Sequence, residues 1–124
     1  MRFDLKGCLG DVDEAISLFR EALILVPPLH PLRSTIISDF ANALDARFTQ
    51  MLQVRDIDEA ISLHREALEL RVVAHPDRFI TLTHLSYTLD KRFNHTDDMG
   101  DINEAILLQR EALQLLPADH PDRP

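Results

Sequence analysis

Histidine, the side chain best suited to metal ligation or proton transfer near neutral pH, recurs in this chain at His30, His75 and His120, each time followed by proline. A metal site needs roughly three or four ligands around one ion. Successive histidines here stand a whole helical repeat apart, about 10 Å by ordinary helix packing distances, and no Cys or second His recurs beside them. They are expected to open helices rather than to bind an ion. His64 lies two residues from Glu66, a pairing that suits general acid–base work, but its counterparts in the other copies are Phe19 and Gln109, which share no chemistry with it. His64 therefore reads as a packing position. Ser, Asp and Glu are plentiful, yet no nucleophile elbow, HExxH, glycine-rich phosphate loop or paired-carboxylate spacing occurs. The sequence gives no support to an enzyme and implies no catalytic residue, cofactor or metal.

The histidines keep the interval of a larger pattern. DIDEAISLHREALEL at 56–70 has close copies at 11–25 (DVDEAISLFREALIL) and 101–115 (DINEAILLQREALQL), so that Glu14, Glu59 and Glu104 are 45 residues apart. The pairs Arg2-Phe3, Arg47-Phe48 and Arg92-Phe93 keep the same interval, as do Arg33, Arg78 and Arg123. Residues 11–55 and 56–100 share 19 identities in 45 without a gap. Self-similarity of this length is the signature of stacked repeats, each of which buries its apolar flank against the next. The expected fold is all-α, an α-solenoid of antiparallel helix pairs, elongated rather than built around one centre.

Composition agrees with that class. Hydrophobic residues make up 45% and charged residues 27% of the 124, with three Gly and no Trp, a helical rather than a sheet composition. A net charge of −8 opposes any phosphate backbone, because binding there needs clustered Lys and Arg, so no nucleic acid is expected as a partner. The single Cys8 forms no internal disulfide, no apolar run reaches the length of a membrane span, and the MRFDLKG start has no signal-peptide core. A soluble, cytoplasmic protein with no membrane partner is the default reading.

Each DEAI segment carries a helix-start signature, with Asp11, Asp56 and Asp101 as N-caps and Glu14, Glu59 and Glu104 three residues later. In the second copy Ala60, Ile61, His64, Ala67 and Leu68 fall on one side, Leu63 and Leu70 on an adjoining side, and Asp58, Ser62, Arg65 and Glu69 elsewhere. The alanines let a neighbouring helix approach closely. Pro27-Pro28 and Pro117 end the first and third of these helices, while Val72-Val73 stands at the second. His30-Pro31 and His75-Pro76 open the intervening helices, whose apolar positions are Ile36, Ile37, Phe40, Ala43, Leu44 and Phe48, then Ile80, Leu82, Leu85, Leu89 and Phe93. Thr49–Arg55 and Asn94–Gly100 share no residue and read as connections, with Met51 and Leu52 prolonging the preceding helix and Val54 and Met99 anchoring the turns.

The segment FANALDARF…DIDEAISLHREALEL resembles a tetratricopeptide repeat: Ala41 and Leu44 stand at its Gly and Tyr places, Ala60 and Ala67 at its two alanines, Pro27 and Pro117 at its closing proline, and Ile37 or Leu82 at its Trp. The longer period and the His-Pro-Asp at 75–77 and 120–122 are similar to repeats of the kinesin light chain type. The same triplet resembles the J-domain motif, but that motif needs it once between helices with a basic face, whereas here it repeats and the flanking helices are acidic, which opposes that reading. The tetratricopeptide resemblance implies a right-handed superhelix with a partial repeat 1–26, repeats 31–72 and 76–116 and a tail 117–124. It also implies a concave face, lined by the first helices, that binds a peptide or protein. Candidate groove residues are then Thr35, Ser38, Asn42 and Asp45, followed by Ile80, Thr83, Tyr87, Asp90 and Lys91. Asn42 matches one place of a carboxylate clamp, but Tyr87 replaces it in the next repeat and Asp45 and Asp90 stand nearby, which opposes that kind of grip.

Leu107 replaces Ser17 and Ser62 and, with Leu108, Leu113, Leu115 and Leu116, makes the third copy the most apolar. Arrays of this kind need polar end caps. Self-association through uncapped ends, centred on Leu107, Leu108 and Leu115, is the second expectation, with a self-assembling structural segment as the alternative to a peptide-binding scaffold.

Overall fold

The computed structural model describes residues 5–71 and 75–115, with side chains from residue 11 onward. The Arg2-Phe3 pair, Val72-Val73, Leu116, Pro117, His120-Pro121, Arg123 and the tail 117–124 lie outside the described residues, as does the side chain of Cys8. Five helices account for nearly all that is described: α1 (Leu5–Leu25), α2 (Arg33–Met51), α3 (Val54–Leu70), α4 (Arg78–Thr96) and α5 (Met99–Gln114). The chain is all-α, with no strand among the described residues. It forms two compact units, residues 1–67 and 68–124, with the boundary inside α3.

The His-Pro pairs open helices through a definite turn. His30 and His75 accept at their carbonyls from the amides of Arg33 and Arg78, at 3.0 and 3.1 Å. Proline occupies the second place of each turn, where its fixed φ is favoured, and Leu32 and Asp77 take the third with φ −80 and −92 and ψ near zero, a type I turn. The imidazole Nδ1 also accepts from the amide two residues on, Leu32 for His30 and Asp77 for His75, each at 3.0 Å. Neither N-cap residue contributes a side-chain cap of its own, so histidine takes over the role that Asn or Asp plays in an Asx turn.

The connections after α2 and α4 share geometry without sharing residues. Leu52 and Asp97 both adopt the left-handed region, with φ 57 and 62, and their amides bond Phe48 O and Phe93 O at 2.7 Å. One amide returning to the last turn closes each helix. Met51 ends α2, as the apolar continuation predicts, and Leu52 is its cap.

The N-cap assignments to aspartate do not hold. α1 runs unbroken through Asp11. α3 begins at Val54 and α5 at Met99, which places Asp56 and Asp101 in the first turn, where both are buried. The cap of α5 is Asp98, whose carboxylate accepts from the Gly100 amide at 2.8 Å. The aspartates leave the cap position because arginines claim their carboxylates, as set out below. Val54 and Met99 are exposed first residues of their helices rather than buried anchors, and Ile80, assigned to the apolar face of α4, is exposed.

In the first unit Ile16, Phe40, Leu44 and Ala60 form the core, with Val12, Phe19, Leu23, Ala43 and Leu63 packed against it. The Phe19 and Phe40 rings stack at 6.0 Å and the Arg20 guanidinium lies 5.0 Å over Phe40, so the aromatic pair is covered by a cation on its outer side. Along α3 the predicted face is buried at Ala60, Ile61, His64 and Ala67, while Asp58, Ser62, Arg65 and Glu69 are exposed. In the second unit Leu82, Leu85 and Leu89 of α4 and Ala105 and Ala112 of α5 are buried. The Ser86 hydroxyl donates to Ala105 O at 3.2 Å, an approach between helix backbones that the small alanine permits.

Candidate functional site

The polar framework is made by two kinds of arginine. Arg47, near the end of α2, holds Asp56 with both ends of its fork, Nε to Oδ2 at 3.0 Å and Nη2 to Oδ1 at 2.8 Å, and reaches Asp13 of α1 with Nη1 at 2.9 Å. Hydrogen bonding to Asp56, opposed by desolvation and reinforced by Asp13, raises the guanidinium pKa above its ordinary value. Arg92 holds Asp101 in the same forked way. Arg33 and Arg78 act differently. Each stands on the first residue of its helix and donates from Nη1 to two carbonyls that end the preceding helix segment: Leu23 O and Val26 O for Arg33, Leu68 O and Arg71 O for Arg78. They then pair with Glu66 and Glu111 respectively. Cations belong at helix C-termini, where unpaired carbonyls carry partial negative charge.

These four arginines hold structure and leave little for a ligand. A cavity of about 220 Å³ beside Arg47 is lined by Asp13, Met51, Gln53, Arg55 and Asp56, but the Arg47 donors that face it are committed to the two aspartates. Among the described residues no cluster of three or more His, Cys, Asp or Glu could hold a metal ion, and no helix is long and apolar enough to cross a membrane. His64 is buried on α3. The repeated intervals at Arg33/Arg78 and Arg47/Arg92 are the sequence signal for the framework. Their roles follow only once carbonyl and carboxylate partners are placed.

The groove candidates fall on α2 and α4. On α2, Thr35 and Asn42 are exposed and Asp45 is half-buried, whereas Ser38 is buried and its hydroxyl has no hydrogen-bond partner among the described residues. Ser38 is thus withdrawn from solvent, and the α2 stripe is interrupted. On α4, Ile80, Thr83 and Tyr87 are exposed, and Asp90 and Lys91 are half-buried. The Lys91 ammonium lies 5.0 Å over the Tyr87 ring, while the Thr83 hydroxyl donates back to Phe79 O. The α4 set forms one continuous stripe of apolar, aromatic and charged groups. Of the self-association candidates on α5, Leu107 is exposed and Leu108 and Leu115 are half-buried.

No protein-family model and no curated protein sequence matches this chain.

Proposed function

We propose that the chain is a non-enzymatic interaction module, tetratricopeptide-like in its 45-residue helix pairs, that binds a peptide or protein segment on the α4 stripe. Tyr87 carries this reading. It is 60% exposed, it contributes nothing to a core, and the Lys91 ammonium lies over its ring. An exposed aromatic is among the residue types that most often anchor a partner. Ile80 and Thr83 extend the stripe, and Asp90 adds an acidic group at its edge. The net charge of −8 favours a basic or polar segment as the occupant. The recurrence of forked Arg–Asp pairs, arginine C-terminal clamps and His-Pro turns in both units supports the repeat assignment, and a cytoplasmic location accords with it.

The test is a peptide-display selection on the full chain, followed by affinity measurement on the Tyr87→Ala variant. Selected basic peptides should weaken at least about tenfold, the loss typical of an aromatic anchor, with the melting temperature unchanged. Peptides that bind both proteins equally would overturn the reading. A structural self-assembling segment is the second reading, favoured by Leu107, which is 62% exposed where serine suffices in the other copies. Leu107→Ser should then reduce oligomer size by light scattering.

A further inference from the structure

We propose that the two His-Pro turns are proton-sensitive latches, each holding the opening of its helix while the imidazole is neutral and releasing it when the ring takes up a second proton. The hydrogen bonds fix the protonation state. At His30 and His75 the Nδ1 atom accepts from a backbone amide, that of Leu32 and of Asp77 respectively, each at 3.0 Å. A ring nitrogen that accepts carries no hydrogen, so each imidazole is the neutral tautomer with its hydrogen on Nε2. Protonation turns Nδ1 from an acceptor into a donor and sets two N–H groups against each other. The amide then loses its partner, and the ring gains none in exchange. Among the described residues neither imidazole has another hydrogen-bond or ion-pair partner.

The charges nearby do not offset that loss. Residues 22–32 hold no ionisable side chain except His30. Arg33, which opens α2, is turned toward Leu23 O, Val26 O and Glu66 of α3. The charged groups at the second turn are Arg71, which donates to the Thr81 hydroxyl, Asp77, and Arg78, which is paired with Glu111 of α5. Neither Leu32 nor Asp77 adds a side-chain cap, so no other side chain takes over when the imidazole lets go. What each ring steadies is a first turn: Arg33 N to His30 O and Ile36 N to Leu32 O in α2, Arg78 N to His75 O and Thr81 N to Asp77 O in α4. Because only the neutral ring caps, the cap is complete above the ordinary histidine range, near pH 6.5, and is lost as pH falls below it.

The test is amide hydrogen exchange by NMR on the full chain at about pH 7.5 and 5.5, a span that brackets histidine protonation, expressed as protection factors so that the intrinsic pH dependence of exchange cancels. Protection at Arg33, Ile36, Arg78 and Thr81 should fall about three- to tenfold at the lower pH, the effect of one lost hydrogen bond. Leu44 and Leu85, in the middles of the two helices, should not change. Asparagine offers a carboxamide oxygen in the same kind of turn and does not titrate. His75→Asn should therefore abolish the response in α4 and leave it in α2, and His30→Asn should do the reverse. His75→Ala should lower protection in the first turn of α4 at both pH values. Nitrogen chemical shifts of both rings at the higher pH should report the Nε2–H tautomer. The Nδ1–H tautomer, or an acid response that survives in the asparagine variants, would overturn the proposal. So would a response that reaches Leu44 and Leu85 equally, which would trace it to global unfolding.

Discussion

Arg92 grips Asp101 with both edges of its guanidinium, Nε to Oδ2 at 2.8 Å and Nη2 to Oδ1 at 2.7 Å, while the carboxylate side chain is only 5% exposed. A buried anion of this kind is tolerated because the planar fork satisfies both oxygens. Removing the arginine alone strands the charge, and such losses cost about 3–5 kcal/mol. Arg92→Met should therefore lower the urea midpoint sharply, and Arg92→Met/Asp101→Leu should regain most of the loss. If the double variant is as unstable as the single one, the ion pair is not what the aspartate is buried for.

The equivalent pair at Arg47 and Asp56 leads to a pH prediction. The Arg47 pKa is raised, chiefly through its hydrogen bonds to Asp56. A cation whose folded pKa exceeds its unfolded one contributes stability that is complete below the unfolded value and fades only as pH rises through the folded value. For arginine that window lies beyond working pH, so the pair persists throughout. Lysine keeps the charge but loses the fork, and its ordinary pKa is about 10.4. Arg47→Lys should be less stable at neutral pH, and the gap to the wild type should widen between about pH 9 and 11 in chemical unfolding at each pH.

Much of this architecture was legible in the sequence, and the gaps have physical causes. Periodicity fixed the helices and most of their buried faces, since Ile37, Leu44, Ile61, Leu82 and Leu89 are fully buried. It misplaced the helix starts because Asp followed three residues later by Glu fits a capping box and also fits a first-turn aspartate held by an arginine nine residues back. Only the side-chain partner separates the two. The connections at 49–55 and 94–100 were legible, but their left-handed caps at Leu52 and Asp97 were not, because such a cap normally advertises itself by glycine and neither residue is glycine. The α4 stripe was legible as a set, but the burial of Ser38 depends on packing that helical spacing does not encode.

Leu52 is the more costly of those two caps. A β-carbon in the left-handed region costs roughly 1–2 kcal/mol, and Leu52, at 59% exposed, recovers little of it through packing. Glycine would remove the strain while adding some entropy to the unfolded chain. Leu52→Gly should stabilise the protein by about 0.5–1 kcal/mol, a rise of about 2–4 °C in melting temperature. Asp97→Gly should yield less, because aspartate enters this region more readily. A fall in melting temperature for Leu52→Gly would mean that the leucine side chain packs in solution.

Arg78 joins three parts of the second unit: its Nη1 donates to Leu68 O at 3.1 Å and to Arg71 O at 2.7 Å, and its Nε donates to Glu111 at 2.8 Å. The salt bridge is partly exposed and contributes little by itself. The two carbonyls matter more, since they would otherwise end a helix without a donor. Arg78→Gln should cost about 1–2 kcal/mol. Because the clamp acts locally, hydrogen exchange should accelerate first in the amides at the end of α3 and the start of α4, with the middle of α5 unchanged. Arg78→Lys retains the charge near the carbonyls but cannot span both and the glutamate together, so it should fall between the two. Uniform acceleration across every helix would show that Arg78 acts through global stability and not as a clamp on this helix end.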